Sequence, residues 1–334
     1  MKRGLLIDDS NRIPFTFEGR HMTCFSGDTI ASALWRNNIK ILSRSFKYHR
    51  PRGILSLAGY DANTLVDETN STNTHAERQK ITPGMWVRAL HYSGSLESDR
   101  LAVLGMLSPF LSAGFYYKAF YKPFNSWKFW EPIIRRLAGL GTVNIEAATI
   151  MTDKVNDFCD VAVVGGGPAG ISAAISAAKS GQSVCLLDKN PVIGGSLNWL
   201  GGGEAEKDRL IADLQAQTDV RVMPDWEAKS VFDGSFVIAA KSKQLLRLRA
   251  KKVVIATGAR SLPAVFINND LPGVMLTSAA MRLAHYFDLS CGSCAVMLAC
   301  DETDAIAART LRGYGVNIAA VFNLCEEQSE WADF

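Results

Sequence analysis

The chain has 334 residues, 48% of them hydrophobic, and its 36 Lys and Arg against 33 Asp and Glu leave a formal net charge of +3. That is apolar material for two or three packed domains, with no basic excess of the kind that nucleic acid or an anionic membrane surface requires. The seven cysteines (Cys24, Cys159, Cys185, Cys291, Cys294, Cys300 and Cys325) are odd in number, scattered and mostly set in apolar runs, which implies reduced thiols in a cytoplasmic protein.

The acids and the proline in the first twenty residues argue against a secretory signal peptide. Between Phe15 and Phe25 apolar and polar residues alternate around a Glu-Gly turn, the pattern of a hairpin. Ser26-Gly27-Asp28 precedes a short amphipathic helix carrying Ile30, Ala33, Leu34 and Leu42, with an Asp or Ser cap expected. Hairpin followed by helix opens a β-grasp domain, assigned to residues 1–83. The loop after the helix packs Arg44, Lys47, His49, Arg50 and Arg52 into nine residues. Such a cluster is either a solvated face or a clamp on a neighbouring domain. Residues 63–80 are polar and read as loop or exposed edge.

Residues 84–155 form an aromatic-rich connector, with ten aromatics between Phe110 and Trp130. Leu101 to Tyr121 is the one candidate for a membrane span, and Pro109, Gly114 and Lys118 argue against it. Residues 156–262 form a Rossmann-like domain. It opens with a buried strand (Val161 to Val164), a glycine turn, a small-residue helix (Ala169 to Lys179) and a second buried strand (Val184 to Leu187). A polar helix (Glu204 to Gln217), short strands around Asp233-Gly234 and the strand of KKVVIATGAR follow. Residues 263–334 carry a second, partial βαβ pattern that starts at Cys294.

Gly165-Gly166-Gly167-Pro168-Ala169-Gly170 fits G-x-G-x-x-G with a strand before it and a helix after it. Gly165 permits the tight turn, Gly167 admits a pyrophosphate and Gly170 allows close helix packing, while the helix N-terminus that Pro168 opens offers free N–H groups from Ala169 onward. Asp188, eighteen residues beyond Gly170, stands where an acid accepts ribose hydroxyls and repels a 2′-phosphate, which favours NAD or FAD over NADP. Lys189, Gly195, Ser196, Thr257 and Gly258 complete the expected cofactor site. The second βαβ turn, Cys300 to Asp304, has three acids and no glycine, so it reads as fold without a nucleotide. Cys291-Gly-Ser-Cys294 lacks a cation within four residues and is assigned no redox role. No residue set indicates a catalytic triad or a metal site, and with Cys24 alone among the first 158 residues a [2Fe–2S] cluster lacks its thiolates.

The phrases FTFEGR, SGDTIASAL, RSFKYHRPRGIL, AGFYYKAF, EPIIRRLAGLG, CDVAVVGGGPAGISAA, GGSL and ATGAR resemble the alpha subunit of heterotetrameric sarcosine oxidase, from about residue 10 to residue 322. The resemblance implies an α/β chain, a cluster-free ferredoxin-like β-grasp domain followed by a dinucleotide-binding domain of the two-dinucleotide-binding-domain flavoprotein type. It also implies a subunit of a complex that oxidises sarcosine to glycine, with noncovalent NAD in this subunit, FAD in a beta subunit, FMN at their contact, and gamma and delta subunits. Gly165, Gly167, Gly170, Asp188 and Gly195 match the family's nucleotide contacts, and no catalytic residue carries over. The family's folate-binding domain has no counterpart here, and the chain stops before a strand returns to the first sheet, so a truncated or split form, inactive alone, is expected. Two other readings are an FAD-binding subunit of an opine, proline or glycine dehydrogenase complex and a non-catalytic assembly module.

Overall fold

The computed structural model describes residues 4–110, 114, 120, 126–138 and 151–324. Strands β1 (Asp8–Phe17) and β2 (Arg20–Ser26) form the expected hairpin. Glu18 and Gly19 both have positive φ at its turn, which matches the right-handed twist of the strands. Ile13, Phe15 and Phe17 alternate inward onto helix α1 (Ile30–Arg36), which is capped by Thr29 through a reciprocal pair of hydrogen bonds with Ser32. The expected Asp or Ser cap is therefore corrected. Asp28 is instead buried as acceptor for Ser32 Oγ (2.7 Å) and Arg36 Nε (2.9 Å). The helix ends before Asn38, whose left-handed backbone stops it, so Leu42 reaches the core from a loop.

Strands β3 (Ser43–Arg44) and β4 (Pro51–Arg52) flank the basic loop. Then β5 (Leu65–Glu68) and β6 (Ser71–His75) form a hairpin, and β7 (Trp86–Ala89) pairs parallel with β1 and antiparallel with β5. The sheet order is β2-β1-β7-β5-β6, so the polar stretch makes the exposed edge. Its central strand, β7, lies beyond residue 83. The first domain therefore runs past that boundary, which four residues with only Val87 and Ala89 facing inward gave little pattern to correct.

A 3₁₀ segment spans Arg100–Phe110 and helix α2 spans Trp127–Ala138. Residues 111–113, 115–119, 121–125 and 139–150 of the aromatic-rich connector lie outside the described residues, and with them nine of the twenty-one positions of Leu101–Tyr121. Among the described residues no helix is long and apolar enough to cross a membrane.

The second sheet contains β8 (Asp153–Val164), β9 (Val184–Leu187), β10 (Val220–Met223), β11 (Glu227–Phe232), β12 (Phe236–Lys241) and β13 (Gln244–Ile255), in the order β10-β9-β8-β13-β12-β11. The first four in that order run parallel, and β11-β12-β13 form an antiparallel meander. Helices α3 (Pro168–Lys179) and α4 (Glu204–Gln215) cover one face through Ile171, Ile175, Leu210 and Leu214. Trp226, Val237, Leu246 and Leu248 gather against Ala162 and Leu187 on the other.

Helix α5 (Thr277–Phe287) was not expected. Its Ala279, Leu283 and Phe287 enter the β-grasp core, while Ala280 and Met281 pack in the cluster of α6 (Glu302–Gly313), which joins the parallel pair β14 (Cys294–Ala299) and β15 (Asn317–Asn323). The backbone N–H groups of Leu5 and Leu6 donate to the last turn of α5, at His285 and Tyr286. Residues after 262 thus serve the first domain as well as the last. The basic loop does the same: Arg50 grips both carboxylate oxygens of Asp270 at 2.7 Å, and Arg52 binds the same carboxylate. Arg44 instead turns inward onto the carbonyls of Leu96, His49 and Glu97. Of the two readings of this cluster, the clamp is the one seen.

Candidate dinucleotide site

Three strand ends place the site. β8 runs into Gly165, whose N–H donates to Leu187 O at the end of β9 (2.8 Å), while β13 ends at Ala256, whose N–H donates to Val164 O (2.8 Å). Gly165 has φ +109°, and a Cβ there would lie 2.2 Å from Ala256 O. A Cβ on Gly170 would lie 1.8 Å from Gly165 O, so both positions are closed to any side chain. Gly167 differs: a Cβ there would meet nothing nearer than Gly195 Cα, 3.9 Å away. The space over Gly167 is open. Gly195 has φ +55° and itself approaches so closely that its Cβ would sit 2.8 Å from Gly167 Cα. Gly167 is the N-cap of α3 without a side-chain cap, with Pro168 following, so first-turn N–H groups such as those of Ala169 and Gly170 have no intrahelical acceptor.

Asp188 is 7% exposed at the end of β9. Its Oδ2 accepts the Gly166 N–H (2.6 Å) and its Oδ1 accepts the Asn190 N–H (2.7 Å). The carboxylate therefore ties the glycine turn to β9 and keeps further lone pairs for a hydroxyl. This also explains Gly166, which the motif leaves unspecified: a Cβ there would fall 2.9 Å from Asp188 Oδ2. Gly194, at φ +118°, donates to Gly166 O (2.7 Å) and lies against the buried Asn198. Ser196 sits in the 3₁₀ turn Gly195–Asn198, where its carbonyl accepts from Leu200 N.

The structure brings Gly165, Gly167, Pro168, Ala169, Gly170, Asp188, Gly195 and Ser196 together around the glycine turn, with Thr257 beside Gly165. Gly258 stands further out, with nothing within 4 Å of the position its Cβ would take. Lys189 turns away from the turn, and its Nζ donates to Ala58 O of the β-grasp domain (2.9 Å). Sequence reasoning missed Arg282 of α5, whose guanidinium lies 4.4 Å from the Trp199 ring centroid and donates to Ser56 O (2.8 Å). Ser56 lies 226 residues away, and no local spacing signals that contact.

The open cradle over Gly167, the uncapped helix and the acid at the end of β9 fit an adenine dinucleotide. The donor set does not fit a [2Fe–2S] cluster: in the β-grasp domain Cys24 is buried, donates to Ile13 O (3.7 Å), and burial pushes its thiol up to about 12. At the second βαβ turn Asp301 caps α6 by accepting the Asp304 N–H (3.2 Å), and Asp304 accepts the Cys300 N–H (2.9 Å). Carboxylates of the chain thus take N–H groups that a phosphate would need.

Residues 10–91 match the family model of a 2Fe-2S iron-sulfur cluster binding domain, and residues 160–208 match that of an FAD dependent oxidoreductase. Sarcosine oxidase subunit alpha of Rhizobium meliloti is 37% identical over 96% of this chain and 35% of its own length. That of a Corynebacterium species (strain P-1) is 27% identical over 94% of this chain and 31% of its own. The chain is a homologue of sarcosine oxidase alpha subunits along nearly all of its length and spans about a third of theirs. Among solved structures, L-proline dehydrogenase from P. horikoshii superposes over 98% of this chain and 57% of its own with a TM-score of 0.66 at 21% identity, a likeness of fold.

Proposed function

We propose that this chain is the dinucleotide-binding part of a sarcosine-oxidase-type alpha subunit, working in a multi-subunit flavoenzyme that oxidises sarcosine to glycine. The observation that carries the reading is the contrast within the glycine turn: Gly165 and Gly170 are closed by backbone, and Gly167 opens onto empty space beside Gly195. In this reading the pyrophosphate lies over Gly167 and Gly195, against the N–H groups of Ala169 and Gly170. The ribose meets Asp188, with Ser196 and Thr257 beside the chain of atoms that leads to the redox ring. That ring supplies electron or hydride transfer when the cofactor is bound. The residues of this chain bind and orient it, and none is assigned a role in bond breaking.

The dinucleotide is NAD in the reading that follows the sarcosine oxidase resemblance, and FAD in a second reading supported by the match of residues 160–208 to an FAD-dependent family. Asp188 favours a free 2′-hydroxyl in either case. Partners are beta-, gamma- and delta-type subunits, with FMN at the contact to the beta-type subunit. Purification of the chain, release of bound nucleotide by heat, and chromatography with absorbance spectra test the reading. NAD or FAD at stoichiometric amounts, or calorimetric binding of either to the stripped chain, is expected. A folded chain that neither retains nor binds an adenine dinucleotide overturns it.

A further inference from the structure

The β-grasp loop Leu55–Asp61, close after the basic loop, is unusually constrained for a surface connection. Two buried carboxyl groups hold its backbone. Asp61 accepts the N–H groups of Leu55 (3.2 Å) and Ser56 (2.6 Å), and Glu77 accepts those of Leu57 (2.8 Å) and Gly59 (2.7 Å). Leu57, a branched apolar residue, is held at φ +50°, a conformation L-residues avoid. Gly59 is obligatory at φ +79°, because a Cβ would lie 2.6 Å from Arg78 Cγ. Buried acids that fix four backbone N–H groups of the loop, and a strained leucine within it, indicate that the shape of the loop matters for something beyond its own domain.

That loop meets the Rossmann-like domain beside Asp188. Ala58 O receives Lys189 Nζ, one residue after Asp188. Arg78, in contact with the loop, forks onto both carboxylate oxygens of Glu227. Glu227 directly follows Trp226, whose N–H donates to Asp188 O (2.9 Å). Tyr60 lies under the guanidinium of Arg260, 4.1 Å from its ring centroid, two residues past the Gly258 turn. The β-grasp domain thus touches Lys189, which follows Asp188, and Glu227, which follows the Trp226 that bonds Asp188.

We propose that the loop Ser56–Tyr60 is the wall of the adenosine half of the nucleotide site, and that Lys189 and Arg78 are positioning residues that hold this wall in place. The proposal rests on the adenine-dinucleotide reading above and adds a role for the first domain in retaining the nucleotide. Because the wall comes from another domain, docking of the two domains and binding of an adenosine nucleotide are linked: each strengthens the other by the same factor.

Isothermal titration of AMP and of NAD into the stripped full chain, for the wild type and for Lys189→Met, Arg78→Met and Glu227→Gln, tests this. The expected result is a loss of affinity of about tenfold, equal for AMP and NAD, since the ligands share only the adenosine monophosphate half. Melting curves in the absence of nucleotide identify any variant that fails to fold. Hydrogen exchange on the wild type needs no variant and is expected to slow at the amides of Leu55–Tyr60 when AMP is added. A wild-type chain that binds neither ligand overturns the nucleotide reading and this inference with it. Nucleotide binding with unchanged variant affinities and unchanged loop exchange overturns the wall alone.

Discussion

Gly167 and Gly170 stand three residues apart in one motif, yet the structure assigns them opposite sensitivities. At Gly170 the new methyl of an alanine would sit 1.8 Å from Gly165 O, against an ordinary contact of roughly 3.3 Å, so the turn or the helix must move by more than an ångström. Overpacking against backbone that cannot rotate away costs about 3 kcal/mol or more. For a domain of this size that is a fall in melting temperature of roughly 10 °C. At Gly167 the backbone is already extended (φ −81°, ψ −177°), a conformation valine adopts readily, and the nearest heavy atom to its Cβ is 3.9 Å away. Gly167→Val is therefore expected to change stability by no more than about 1 kcal/mol. It fills the cradle, however, and nucleotide affinity falls by about a hundredfold or more. Differential scanning fluorimetry of the stripped proteins and calorimetric titration with ADP measure the two effects separately. A Gly170→Ala chain that melts with the wild type, or a folded Gly167→Val chain with wild-type affinity, would refute the steric argument.

The clamp on Asp270 makes a prediction in pH. Arg50 first, then Arg52, hold its carboxyl down to about 2 against an ordinary 3.8, so it stabilises the fold above pH 4, and the contribution is lost between about pH 4 and 2. After screening at this partly exposed site that amounts to about 1–2 kcal/mol, so Arg50→Gln with Arg52→Gln should lower the melting temperature at pH 7 by several degrees, and by less in 1 M salt. Equal melting at every salt concentration would leave the clamp without energetic weight. His285 adds a loss in the same direction at higher pH: burial pushes it down to about 4 from 6.5, so stability falls as pH drops below 6.5, by up to about 3 kcal/mol near pH 4. His285→Phe should flatten that part of a denaturation profile, and an unchanged slope would count against it. Purified chain is expected to contain no iron by elemental analysis, because Cys24 alone cannot hold a cluster; stoichiometric iron with a [2Fe–2S] spectrum would overturn this.

Much of the architecture was legible in local patterns. The alternation around Glu18-Gly19 marks the first hairpin, and the glycine motif, Asp188 and the two βαβ stretches appear where the sequence places them. What escaped was encoded at long range. Helix α5 divides its apolar residues between two cores, so neither stripe stands out in the sequence. β7 is four residues long and depends on β1 and β5 for its identity. In the site, the need for glycine at Gly166 follows from the approach of Asp188, twenty-two residues on. Lys189 reads as a cofactor residue by its neighbours in sequence, while its partner, Ala58, lies 131 residues away. The basic cluster was visible, but the carboxylate that decides its role, Asp270, belongs to a stretch with no motif of its own.

The contribution of α5 to the β-grasp core also has a consequence for biosynthesis. Ala279, Leu283 and Phe287 leave the ribosome about 200 residues after β7 is complete. At cellular elongation rates that is an interval of roughly 10–40 s during which the first sheet and α1 are present without part of the surface that covers them. The Rossmann-like sheet is synthesised within that interval, so its strands emerge beside an uncovered apolar face. The nascent chain is thus exposed to non-native pairing until α5 arrives, and the yield of folded protein should depend on holdase chaperones acting between synthesis of Ala89 and Phe287.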